Sequence, residues 1–105
     1  MQVEINPSEY TVLIVDDTIA NVLLLKVLIG NQKYRIVTAN NGMEALQAVE
    51  KESPDLILLD IMMPGMNGYE VAEKLKTDPQ TQEIPIIFLT ALNSTNDIVK
   101  GFKTG

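Results

Sequence analysis

An α/β architecture, one parallel sheet with helices on both of its faces, is what this sequence predicts. Two observations carry the prediction. Four short runs are apolar at nearly every position: Thr11–Val15, Tyr34–Thr38, Leu56–Leu59 and Pro85–Leu89. Strands without polar alternation are buried on both faces, which is the mark of a parallel sheet. Between these runs lie segments of helical length, so the order reads βαβαβαβα and the sheet is layered by its own crossovers.

Each element has a local reason. Thr11–Val15 is a run of strand length ending at Asp16-Asp17. Ile19–Ile29 is too long for an ordinary strand and rich in leucine, so it reads as a helix. Its composition is unusual: Val22, Leu23, Leu24, Leu25, Val27 and Leu28 leave it without a polar face, so cover is expected on more than the sheet side. Tyr34–Thr38 is the second strand. Asn41 opens the next helix, with Glu44 three residues on in the spacing of a capping box, and the helix reaches about Glu52. Ser53-Pro54-Asp55 separates it from the third run, which ends at Asp60. Pro64-Gly65 marks a turn, and Asn67-Gly68-Tyr69-Glu70 repeats the Asn-x-x-Glu opening of a helix that Asp78-Pro79 stops after Thr77. Pro85–Leu89 is the fourth strand, and Ser94–Phe102 is expected as a last short helix, capped by Ser94 with Asp97.

Composition narrows the chemistry. The 105 residues suit one domain of ordinary globular make-up, with 46% hydrophobic and 21% charged residues. There is no cysteine, hence no disulfide, thiolate metal site or cysteine nucleophile, and no histidine, hence no Ser-His triad or histidine base. A net charge of −6 argues against nucleic acid or an anionic membrane as the main partner. No apolar stretch is long enough to span a bilayer, and the N-terminus lacks the pattern of a signal peptide, so a cytoplasmic protein is expected.

Functional groups of an open parallel sheet gather at the carboxyl ends of its strands. Here those positions are Asp16 and Asp17 after the first strand, Asp60 after the third and Thr90 after the fourth. If the first and third strands are neighbours, three carboxylates meet, repel one another and raise one pKa. A hard divalent cation such as magnesium relieves that repulsion, and a carboxylate beside it can attack a phosphoryl group.

The motifs Val12-Leu13-Ile14-Val15-Asp16-Asp17, Asn41-Gly42-Met43-Glu44-Ala45-Leu46, Pro54-Asp55-Leu56-Ile57-Leu58-Leu59-Asp60-Ile61-Met62-Met63-Pro64, Gly68-Tyr69-Glu70 and Pro85-Ile86-Ile87-Phe88-Leu89-Thr90-Ala91 stand together in this order. Taken together they resemble the receiver domain of two-component response regulators. The resemblance runs from about residue 10 to the end. It implies a flavodoxin-like fold with strand order 2-1-3-4 for the four strands present. It implies that Asp60 is the phospho-acceptor, that Asp16 and Asp17 serve magnesium, with Asp17 the direct ligand, and that the backbone carbonyl of Met62 is a further ligand. Thr90 would be the switch hydroxyl, and the small Ala91 would leave the phosphate room. Asn67 stands where the family often has aspartate, with little effect expected because asparagine caps a helix as well.

The family's fifth strand and helix, with a lysine followed by proline and an aromatic switch residue, would come after Gly105, and neither Lys100 nor Lys103 is placed to stand for that lysine. The expectation is therefore one receiver domain over residues 1–105, truncated at its C-terminus. It would take a phosphoryl group from a histidine kinase or histidine phosphotransfer protein and carry no enzymatic activity beyond self-phosphorylation and self-dephosphorylation. A homodimer or domain-exchanged oligomer is expected through the edge of the fourth strand and the first helix. The alternative is a phosphorylation-impaired module that serves assembly. A flavodoxin-type cofactor binder is disfavoured because two aspartates after the first strand would repel a phosphate. A haloacid-dehalogenase-type hydrolase is disfavoured because Asp16-Asp17-Thr18 is not Asp-x-Asp.

Overall fold

The computed structural model describes residues 9–30 and 34–89. Seven elements follow in chain order: β1 (Thr11–Val15), α1 (Ile19–Gly30), β2 (Arg35–Ala39), α2 (Gly42–Glu52), β3 (Leu56–Asp60), α3 (Gly68–Thr77) and β4 (Ile86–Leu89). The strands are parallel in the order β2-β1-β3-β4, as expected. The helix expected over Ser94–Phe102 lies outside the described residues. β2 is shifted one residue from its predicted span, with Tyr34 left before it, where its ring meets that of Tyr10 edge-on at 6.5 Å.

Side-chain alternation divides the core into two layers. Leu13, Val15, Ile57, Leu59, Ile86 and Phe88 point to one face, where Ala45 and Val49 of α2 and Val71 and Leu75 of α3 close over them. Val12, Ile14 and Leu58 point to the other, where Val22 of α1 is buried among them and Leu25 and Ile29 pack alongside. The apolar strands are thus explained by burial on both sides. Helix α1 is not: Ile19, Leu23, Leu24, Val27 and Leu28 remain exposed. The second cover anticipated for α1 is not supplied by the described residues.

Register is set at the strand entries. Asp55 accepts the Thr11 amide on its carboxylate at 2.8 Å, and its own amide donates to the Thr11 carbonyl at 2.8 Å. This staple ties the start of β3 to the start of β1. From there Val12 pairs with Leu56 and Val15 with Leu59. The next residues on the two strands are Asp16 and Asp60, so the pairing itself brings them side by side.

The two Asn-x-x-Glu openings behave differently. At α3 the box is complete: Asn67 accepts from the Glu70 amide at 2.9 Å and Glu70 from the Asn67 amide at 3.1 Å. At α2 Asn41 accepts from the Glu44 amide, but Glu44 reaches back one residue further, to the Asn40 amide at 3.1 Å. The box expected there is therefore only half formed, with the outer bond moved to the preceding residue.

Leu59 is fully buried in the α2/α3 layer, whereas the Asn67 cap is exposed. Urea denaturation should therefore show Leu59→Ala losing about 3 kcal/mol and Asn67→Ala about 1 kcal/mol.

Candidate functional site

The end of β1 delivers Asp16 into the protein and Asp17 out of it. Asp16 is buried, with its amide donating to the Ala39 carbonyl at 3.1 Å. Its carboxylate is held at both oxygens: Oδ1 accepts the Thr18 amide at 2.8 Å and Oδ2 the Asn21 side-chain amide at 3.2 Å. Asp17 is exposed. Asp60 closes β3, is buried, and accepts the Met62 amide on Oδ1 at 3.2 Å. Oxygens of Asp16, Asp17 and Asp60 lie within 4.8 Å of one another.

Burial pushes the Asp60 carboxyl up to about 7, and the negative charges of Asp16 and then Asp17 add to the rise. A hydrogen bond with Asp17 also favours the protonated form, and the Met62 amide opposes these effects only partly. Two outcomes relieve such a site: a proton on Asp60 or a cation among the three carboxylates. The donor set, all carboxylate oxygen with one member open to solvent, fits a hard divalent cation that keeps several of its waters.

Besides the Met62 amide bond to the Asp60 carboxylate, backbone hydrogen bonds tie the loop after Asp60 to its surroundings. Ile61 donates to the Leu89 carbonyl at 3.1 Å, and Gly68 donates to the Ile61 carbonyl at 3.0 Å. Gly68 has no room for a side chain: a Cβ there would stand 2.3 Å from the Asp60 carbonyl oxygen. The glycine at the start of α3 thus lets that helix abut the backbone of Asp60. Tyr69, next in line, rests its ring on Phe88 with centroids 5.1 Å apart. Met62 is 75% exposed beside an open hollow of about 540 Å³ that Ile61, Pro64 and Tyr69 also line. A second hollow, of about 480 Å³, lies at the opposite end of the strands near Leu46, Ser53, Lys74 and Ile84, away from the carboxylates.

Of the residues expected from the sequence, the structure brings together Asp16, Asp17 and Asp60, with Met62 joined through its amide. Thr90 and Ala91 lie outside the described residues. Two contributors went unread. Asn21 orients Asp16, and its signal was present: it is the single uncharged polar side chain in α1. Gly68 was read within a helix opening, and its closeness to Asp60 emerges only from packing.

The sequence pattern of the response regulator receiver domain matches residues 12–105. The chain is 45% identical over 94 residues to the response regulator PleD of Caulobacter vibrioides, covering 90% of this chain and 21% of PleD. The chain thus spans about a fifth of that relative's length. Among solved structures, the N-terminal domain of a response regulator receiver protein from Methanoculleus marisnigri JR1 superposes with a TM-score of 0.77 at 41% identity, over 90% of this chain and 77% of that one. The phosphorylated cyanobacterial phytochrome response regulator RcpA gives a TM-score of 0.74 at 30% identity, over 90% of this chain and 74% of that one.

The raised Asp60 pKa fixes the sign of a pH effect. Folded Asp60 holds its proton to about pH 7, whereas an unfolded aspartate releases it near 3.9. Between those values folding takes up a proton, so stability falls as pH rises through the window. Asp60→Asn should therefore raise the thermal midpoint in chelator at pH 8 and leave it nearly unchanged at pH 4. Saturating magnesium should narrow the pH 8 difference. Scanning calorimetry of the two proteins at both pH values checks this.

Proposed function

The chain belongs to the response regulator receiver domain family, and on that footing we propose that Asp60 accepts a phosphoryl group from a phosphohistidine. Receiver domains interact with histidine kinases or histidine phosphotransfer proteins. These 105 residues contain no histidine, so the donor residue lies outside them. The observation that carries the reading is the convergence of Asp16, Asp17 and Asp60 within 4.8 Å at the adjoining ends of two buried strands.

In the proposed reaction an Asp60 carboxylate oxygen forms a bond to phosphorus while the N–P bond of the donor breaks. The electron pair stays on the imidazole nitrogen, which then takes a proton from water. The product is an aspartyl phosphate, lost later when water attacks phosphorus. The Met62 amide on Oδ1 fixes the plane of the carboxylate and leaves Oδ2 for the new bond. Thr18 and Asn21 hold the Asp16 carboxylate at both oxygens, and Asp17 is the solvent-facing ligand. Asp16, Asp17, Asp60 and the Met62 carbonyl would hold a magnesium ion, which when bound would supply positive charge against the carboxylates and the phosphoryl oxygens. Thr90 and Ala91, next along the chain after β4, are proposed as the phosphate-facing pair. The kinase chemistry points to the cytoplasm as the working compartment.

The test is phosphorylation by a small acyl-phosphate donor, read by intact mass. One phosphoryl group should be gained with magnesium present, and none in chelator or on Asp60→Asn. Phosphate on Asp60→Asn at the wild-type level would overturn the assignment.

A further inference from the structure

Two Asn-Gly pairs stand in the sequence, Asn41-Gly42 and Asn67-Gly68, and each opens a helix. Asparagine before glycine is prone to ring closure, because glycine puts no side chain in the path of its own nitrogen. The torsion that ring closure must turn does not separate the two pairs: ψ is 174° at Asn41 and 172° at Asn67. Space does not separate them either. Both glycines are buried and closely packed, Gly42 on the side chains of Met66 and Val71, Gly68 on the backbone of Asp60 and Ile61. What separates them is how their amides are held. The Asn67 amide donates to Glu70 at 3.1 Å and the Gly68 amide to the Ile61 carbonyl at 3.0 Å. At α2 Glu44 takes the Asn40 amide instead, and neither the Asn41 nor the Gly42 amide has an acceptor among the described residues. The first amides of a helix have no partner within it, so these two stay free for other chemistry.

We propose that Asn41 is a site of spontaneous deamidation and that the fold spares Asn67. The Gly42 nitrogen gives its proton to solvent and attacks Asn41 Cγ. A C–N bond forms, the side-chain nitrogen takes up a proton and leaves as ammonia, and a five-membered imide remains. Water then opens the imide at either carbonyl, to aspartate or to isoaspartate. No cofactor, oxidant or second protein is needed. Both sites must give up the cap bond to the amide three residues on, 2.8 Å at Asn41 and 2.9 Å at Asn67. Asn67 must in addition release the Gly68 amide from Ile61 and loosen its own amide from Glu70.

Either product disturbs the start of α2. Asn41 Nδ2 donates to a Glu44 carboxylate oxygen at 3.3 Å. Aspartate sets a second negative charge in that place. Isoaspartate lengthens the main chain by one methylene, so the cap oxygen and the Glu44 amide no longer meet. Ala45 and Val49 of this helix close over the layer that holds Leu13 and Val15, so the loss reaches the sheet. Ala39, two residues before Asn41, accepts the Asp16 amide, which places the modified residue beside the strand end that carries the carboxylates.

The test is ageing of the natural sequence at pH 8, folded and in urea, followed by tryptic peptide mapping. Cleavage after Arg35, Lys51 and Lys74 puts Asn41 and Asn67 in separate peptides. Fragmentation places the mass gain at one asparagine, and isoaspartyl methyltransferase labels the isoaspartate. In the folded protein Asn41 should convert at least about fivefold faster than Asn67, the factor that one net hydrogen bond supplies. In urea the two rates should become nearly equal. The isoaspartate form should melt about 4 °C lower or more, as loss of a helix cap requires in a domain of this size. Asn41→Ser, which caps as well and cannot deamidate, should keep its midpoint on ageing. Equal rates in the folded protein, or no conversion at Asn41 while the unfolded chain converts, would overturn the proposal. So would a rate ratio that persists unchanged in urea, since the fold would then not be its cause.

Discussion

Repulsion among Asp16, Asp17 and Asp60 is the interaction around which the structure is arranged. Three carboxylates within 4.8 Å do not all stay ionised without a compensating charge. The fold gives no lysine or arginine to this cluster among the described residues; the one ion pair there, Arg35 with Glu52, joins β2 to α2. Instead burial first, and the charges of Asp16 and Asp17 in addition, push the Asp60 carboxyl up to about 7. A site poised in this way responds strongly to a cation or to a proton.

The scaffold keeps the repulsion from dissipating. Asp16 and Asp60 follow directly on paired residues of β1 and β3, whose side chains are buried on both faces of the sheet. Sliding one strand would carry Leu13, Ile57 and Leu59 to the wrong layer, at a cost far above what separating two charges returns. Asp55 fixes the register at the strand entries, so a carboxylate at one end of β3 helps determine where the carboxylate at the other end stands. Gly68 completes the arrangement from the α3 side by giving that helix backbone access to Asp60.

Much of this was legible in the sequence because burial leaves a plain record. Runs such as Leu56-Ile57-Leu58-Leu59 identify strands covered on both faces, and the aspartates directly after them identify the functional edge. The strand order came from the family resemblance, since composition alone does not say which strands are neighbours. Asn21 escaped notice because its role depends on the turn at Thr18, which brings it back over Asp16. The Asn41 cap of α2 stands where the sequence put it, and only the reciprocal bond is displaced, because Glu44 can reach either the Asn40 or the Asn41 amide and the choice rests on the local backbone. The apolar excess of α1 was plain in the sequence, and the structure adds its direction: outward, on the side opposite the sheet.

The most direct measurement of the central claim is the titration of the Asp60 carboxyl carbon by nuclear magnetic resonance, with and without magnesium. Electrostatic crowding in a buried site predicts a midpoint near 7 in chelator, falling well toward the ordinary carboxylate value near 4 when magnesium is added. A midpoint near 4 in both conditions would contradict the account, because it would mean that neither burial nor the neighbouring carboxylates act on Asp60.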